Sequence, residues 1–237
     1  SEMCIRDRCK KLKNITLSNA RVGARCFVMG TTLNRLELNN VTSWYTDEND
    51  RAFYSRAKKI VLNGNVTYSL YEFRSEHLVD SIYVNGSAKI YFAVGDGGFD
   101  TIRKMYVNST SVKFIDSPEF VENLYTIPSA KVIKAAKKAH VTYHVKSTGS
   151  MKKVTRKAKG KKYRYSWKPV KTTIKTYKYK GKKKGWKCTK KKAATQYYVY
   201  AKKSRLDDYQ LIKTTKKKQI TTSYKYVKVK PVKIWLE

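Results

Sequence analysis

Leu33-Asn34-Arg35-Leu36-Glu37-Leu38-Asn39 and, starting 24 residues later, Ala57-Lys58-Lys59-Ile60-Val61-Leu62-Asn63 share one pattern. An aliphatic residue is followed by two variable positions, an aliphatic, one variable position, an aliphatic and an asparagine. The same spacing fits Leu12/Ile15/Leu17, Val79/Ile82/Val84 and Ile102/Met105/Val107, and weakens at Val121/Leu124/Thr126. Such a unit is one short strand plus a return loop, and it cannot bury its aliphatic side alone. Stacking the units pairs the strands in parallel and makes a continuous aliphatic core, so the pattern predicts a solenoid.

Two further columns run in step with the strands. Asn39, Asn63, Asn85 and Asn108, with Ser18-Asn19 in the first unit, fall where each strand ends. Asparagine suits that corner because it tolerates turn conformations and its amide bonds neighbouring backbone. Phe27, Phe53, Phe73, Phe99 and Phe120 each stand a few residues before the next strand, and are expected to close the core. These features resemble the leucine-rich repeats of BspA-like bacterial surface proteins. Cys9, three residues before Leu12, matches a cysteine common in that family, and 127–139 looks like the helical turn that often closes such arrays. The resemblance covers residues 9–146. It implies a secreted or surface-displayed protein that adheres to a protein or glycan of a host or neighbouring cell, with no cofactor.

The remainder differs in character. Lysine and arginine number 53 against 17 acidic residues, a formal charge of +36. Residues 151–237 carry 31 of the basic and 3 of the acidic residues, so most of the excess lies there. Residues 147–161 read as a basic linker, and 162–237 as a lysine- and tyrosine-rich β-module. Tyr163-Arg164-Tyr165-Ser166-Trp167, 173–179 and 224–230 alternate Tyr, Val or Thr with Lys, the pattern of half-buried antiparallel strands. The run 194–229 looks like the later strands of a fibronectin type III module, with Trp186 standing for its core tryptophan. The expected architecture is therefore mainly β: a leucine-rich-repeat solenoid followed by a small antiparallel β-sandwich-like domain.

Residues 1–8, Ser1-Glu2-Met3-Cys4-Ile5-Arg6-Asp7-Arg8, resemble a translated sequencing adapter and are set aside from the fold. On that reading the gene is cut at its 5′ end, and a signal peptide is expected upstream. Cys9, Cys26 and Cys188 are too few and too scattered for a disulfide framework or a zinc site. No apolar window is long enough for a membrane-spanning helix.

The variable position between the last two aliphatics is Thr16, Glu37, Val61, Tyr83, Tyr106 and Tyr125 in successive units. Three tyrosines in one column would stack about 4.8 Å apart along a parallel sheet. Arg35, Lys59, Arg103 and Lys104 run beside them. Tyr83, Tyr106 and Tyr125 with these four cations form the candidate binding face, since aromatic surface with cationic neighbours suits a sugar or an extended peptide. The competing reading is that neighbouring tyrosines only stabilise the sheet.

Two other classes of function are weighed against this one. Lys182–Lys184 and Lys216–Lys218 sit between strand-like segments near Tyr and Trp, an arrangement that could grip single-stranded nucleic acid. Arginine is scarce there and no nucleic-acid motif is present, which favours a solvated lysine face with loose attraction to anionic cell-wall polymer. A catalytic domain upstream would make the chain an accessory region of a secreted enzyme. Within the chain no nucleophile elbow, phosphate loop or paired carboxylates appear, so no catalysis is expected. His140 and His144 share a face of a strand-like stretch but lack further ligands, and read as surface or edge residues. Five Asn-x-Ser/Thr triplets match the glycosylation pattern, and the asparagine corner of the repeat explains them better.

Overall fold

The computed structural model describes residues 12–22, 33–43, 57–70, 78–92, 101–115 and 117–237. The phenylalanine column other than Phe120, the cysteines at 4, 9 and 26, and residues 1–8 lie outside them. The chain divides into two compact units. The first holds the residues up to Val145 together with Thr176–Cys188 and Trp235–Glu237; the second holds Lys146–Lys175 and Thr189–Ile234.

The first unit is a parallel β-solenoid. Strands Asn14–Ser18, Leu33–Asn39, Ala57–Asn63, Ser81–Val84, Thr101–Val107, Val121–Thr126 and Thr142–Thr148 follow one another in sheet order as in chain order. The register is the one the repeat implies: Leu36 pairs with Ile60, Ile60 with Ile82, Ile82 with Met105 and Met105 with Leu124. Pleating sends these aliphatics to one side and Glu37, Val61, Tyr83, Tyr106 and Tyr125 to the other. Leu36, Leu38, Ile60, Leu62, Ile82, Val84, Met105 and Val107 are all buried in one core. Each such side chain contributes about 1.5–3 kcal/mol by leaving water.

Among the described residues, the return paths carry short strands of their own. Val66–Leu70, Ala88–Phe92 and Val112–Phe114 form a second parallel sheet, and Arg21–Val22 pairs with Thr42–Ser43 in the same manner. Val66, Tyr68, Ala88, Ile90, Phe92 and Val112 from these strands complete the core. After Val121–Thr126 the return is the helix Ala130–Lys138, whose Val132 and Ala136 are buried. The helix ends at Ala139, and His140 follows in the left-handed region at φ 55°. The expected strand-like stretch around His140 is therefore a helix exit, and the strand starts only at Thr142.

Two corners need glycine. Gly64 has φ +72°, and a Cβ there would also run into the Asn40 side chain. A Cβ on Gly86 would run into the backbone of Gly64 one coil away. The coils approach so closely here that hydrogen is the only side chain with room.

The second unit contains two three-stranded antiparallel sheets. One orders Val154–Lys159, Lys162–Trp167 and Gln219–Thr222; the other orders Gln210–Thr215, Tyr197–Lys202 and Tyr226–Pro231. Tyr165 and Trp167 from the first meet Tyr197, Val199 and Val229 from the second in a single small core. Trp167 meets the Tyr197 ring edge-on at 5.4 Å. Part of the 147–161 segment, read as linker, is thus the strand Val154–Lys159, whose last five residues are exposed. Val154 packs against that core, and the residues after it carry no apolar alternation because they cover none. Trp186, expected in this module, packs instead in the solenoid unit against Tyr143 and Tyr179.

Candidate functional site

The outer face of the solenoid's strand sheet carries the tyrosine column. Tyr106 pairs with Tyr83 on one side and Tyr125 on the other, because one coil places each at the same register. The rings stack with centroids 4.5 Å apart for Tyr83–Tyr106 and 4.7 Å for Tyr106–Tyr125. His144 continues the column, its ring 4.3 Å from that of Tyr125 and within 9° of parallel. It was not among the expected site residues. His144 is held by Thr176 Oγ1 at 2.9 Å from its Nδ1 and lies 3.4 Å from Asn123 Oδ1. Each stacked pair adds about 0.5–1.5 kcal/mol beyond its buried area.

Burial pushes the Tyr83, Tyr106 and Tyr125 phenols above their ordinary pKa, and for Tyr83 the carboxylate of Glu237 adds to it. The three phenols are therefore neutral through the physiological range, and the stacked rings present their edges and hydroxyls.

At the edge of the same face runs an amide ladder. Asn39 Nδ2 donates to Ser18 Oγ at 3.1 Å and Asn63 Nδ2 to Asn39 Oδ1 at 2.7 Å. Asn85 Nδ2 donates to Asn63 Oδ1 at 2.9 Å and Asn108 Nδ2 to Asn85 Oδ1 at 2.8 Å. Each amide donates to one neighbour and accepts from the next, which fixes the orientation of all four. A second, shorter row behind it joins Asn40 Nδ2 to Asn19 Oδ1 at 3.0 Å, both residues having φ of 53°.

The face is occupied by the protein's own segment Trp235-Leu236-Glu237. Asn108 Nδ2 donates to the Trp235 carbonyl at 2.8 Å, and the Trp235 N–H donates to Asn108 Oδ1 at 2.7 Å. The indole Nε1 donates to the Thr126 carbonyl at 3.1 Å, and the ring sits edge-on to Tyr125 at 5.1 Å. Two residues on, the Glu237 carboxylate meets Arg35 Nη1 at 2.8 Å and Lys59 Nζ at 2.7 Å. Val61 and Tyr83 point out of the core yet are only 1% and 7% exposed.

Of the expected cations, Arg35 and Lys59 converge on this carboxylate, and Lys59 also lies 5.2 Å over the Tyr83 ring. Arg35 bonds Glu37 as well, at 2.9 Å. Bonding to Glu237, then to Glu37, raises the guanidinium pKa further above its already high value, and Arg35 in turn holds Glu237 below the usual carboxylate range. Arg103 is engaged elsewhere, 3.0 Å from Asp80, and Lys104 is exposed on the same strand. These two do not join Arg35 and Lys59.

The lysine runs 182–184 and 216–218 are exposed. The first belongs to the solenoid unit and the second to the antiparallel unit. Among the described residues no three His, Cys, Asp or Glu side chains come together as a metal site. No described helix is long and apolar enough to cross a membrane. Fold and face together define a parallel β-solenoid with an aromatic, cation-flanked strand surface. Comparison with protein families, curated proteins and solved structures gives no match.

Proposed function

We propose that this chain is a non-catalytic binding region of a secreted or cell-surface protein, and that it adheres to a partner through the outer strand face of the solenoid. The partner is a protein or glycan of a host or neighbouring cell, as the resemblance to BspA-like repeats implies. The observation that carries the reading is the stacked column Tyr83–Tyr106–Tyr125–His144 with the Arg35 and Lys59 clamp at its end. Large flat rings held rigid by one another offer contact area at little further entropic cost. A face built only to close a sheet has no need of a polypeptide segment laid across it with both backbone groups of one residue satisfied. The exposed lysines of the antiparallel unit suit loose attraction to anionic wall polymer.

The test uses the Trp235→Ala/Glu237→Ala chain, in which the segment loses both side-chain anchors, on arrays of extended peptides and of glycans. Ligands are expected whose binding falls at least 10-fold with Tyr106→Ala or with Arg35→Gln/Lys59→Gln, the latter pair being a surface change that leaves the core intact. Binding that survives both changes and collapses only with added salt would move function to the lysines and contradict the proposal. So would arrays without any ligand dependent on the column.

A further inference from the structure

The way Trp235–Glu237 is held specifies a ligand. Three separate contacts act on three chemical features. Asn108 takes the N–H and the carbonyl of one residue, a two-point grip on backbone that any extended peptide could offer. Its own amide is locked by the ladder bond to Asn85, so the grip is formed in advance. Tyr125 and the Thr126 carbonyl then take an aromatic side chain carrying an N–H. Arg35 and Lys59 take a carboxylate two residues further along. In an extended chain, residues i and i+2 project to the same side, which is the spacing these two seats require.

We infer that the face is a recognition site for peptide segments of the form aromatic–any–acidic on a partner protein, and that Trp235-Leu236-Glu237 occupies it as a tethered self-ligand. The inference rests on the reading of this face as a binding surface and adds the chemistry of what it binds. Charge selects the occupant: Arg35 and Lys59 seat a carboxylate and would repel a cation in its place. A partner gains access by displacing the self-ligand, whose tether gives it an effective concentration on the order of millimolar. Weak segments are thereby excluded and only multivalent or tighter ones engage.

The probe is a fluorescein-labelled, C-terminally amidated peptide Lys-Ile-Trp-Leu-Glu, matching residues 233–237, read by fluorescence anisotropy. Saturable binding to the Trp235→Ala/Glu237→Ala chain is expected, with at least about 10-fold weaker apparent affinity for the unaltered chain. Replacing Trp by Ala or Glu by Gln in the peptide, or adding Asn108→Ala or Arg35→Gln/Lys59→Gln to the protein, should each lower affinity about 10-fold or more. Circular dichroism confirms the fold of each variant, and the Arg35/Lys59 pair carries the test if Asn108→Ala unfolds. No binding to the double variant overturns the inference. So does binding indifferent to the peptide's Trp and Glu, or equal binding to both chains. A dimer formed by the unaltered chain and not by the double variant would assign the seat to a second copy and overturn the tethered assignment. If array ligands need the tyrosine column while this peptide fails, only the peptide specificity falls, and the binding face stands.

Discussion

Asn108 satisfies both backbone polar groups of Trp235, donating to its carbonyl at 2.8 Å and accepting from its N–H at 2.7 Å. The two residues lie 127 positions apart in the chain. A side chain that closes one end of an internal ladder thus also grips a separate strand of backbone. Structure and recognition share one amide, and several consequences can be measured.

The ladder depends on amides that both donate and accept. Asn63→Ala removes bonds to Asn39 and Asn85 and to the Glu37 carboxylate 3.1 Å away. Urea unfolding should show a loss of about 1–2 kcal/mol. Asn63→Asp should cost more at pH 7, because it loses both donors and sets a second charge beside Glu37. That excess should shrink as pH falls to 4, and equal costs at pH 7 would contradict the ladder.

Glycine positions of like backbone but different surroundings give an internal control. Gly160 has φ +57° with open space around the place of a Cβ, whereas Gly64 at φ +72° faces the Asn40 side chain. Gly160→Ala should cost roughly 1 kcal/mol for the left-handed backbone alone. Gly64→Ala should exceed it, and Gly86→Ala should cost roughly 1–3 kcal/mol through overpacking against the Gly64 backbone. Thermal melts of the three variants rank them directly.

Acid should release the seated segment. Arg35, and then Lys59, hold the Glu237 pKa below its usual value, so the folded state binds that proton less readily than the unfolded one. The contribution is fully present above the ordinary carboxylate pKa and is lost as pH falls through the depressed one. The Trp235 indole N–H resonance, assigned by Trp235→Phe, should shift with a midpoint below the usual glutamate value. Glu237→Gln should remove that titration.

Alkali should act on the tyrosines in the opposite sense. Burial raises Tyr83, Tyr106 and Tyr125, and pushes Tyr143 up to about 12, with Tyr177 nearby adding to it. The folded state keeps these protons where the unfolded chain gives them up. Stability from this source is therefore intact below about pH 10 and falls as pH rises towards 12. Tyrosinate absorbance should show a group among the 19 tyrosines that ionises late and moves to ordinary values in urea.

The strand sheet was legible because its signal repeats: each aliphatic at 36, 60, 82 and 105 supports the others. The return strands were less so, since Val112–Phe114 and, in its own pair, Arg21–Val22 are too short to show a period of two. His144 escaped because Tyr143 stands where the repeat asks for an aliphatic, hiding one more unit. The tyrosine column followed from register alone, and so did the asparagine column, although its amides bond one another as well as backbone. Asn108 as a clamp, Trp235 and Glu237 could not be found by spacing. Their partners lie more than 100 residues away, and three residues carry no periodicity. Trp186 was assigned to the wrong core because alternating Lys and aromatic residues mark a strand without saying which sheet it joins.

Amide hydrogen exchange at Trp235 tests the occupied face most directly. Its N–H lies outside any strand and donates to Asn108 Oδ1 at 2.7 Å. With two bonds of about 1 kcal/mol each closing the clamp, exchange should be slowed roughly 30-fold relative to an unstructured peptide. Asn108→Ala should speed exchange at Trp235 while the strand amides of Thr101–Val107 stay protected. A Trp235 amide that exchanges at the unstructured rate in the unaltered chain would contradict the account.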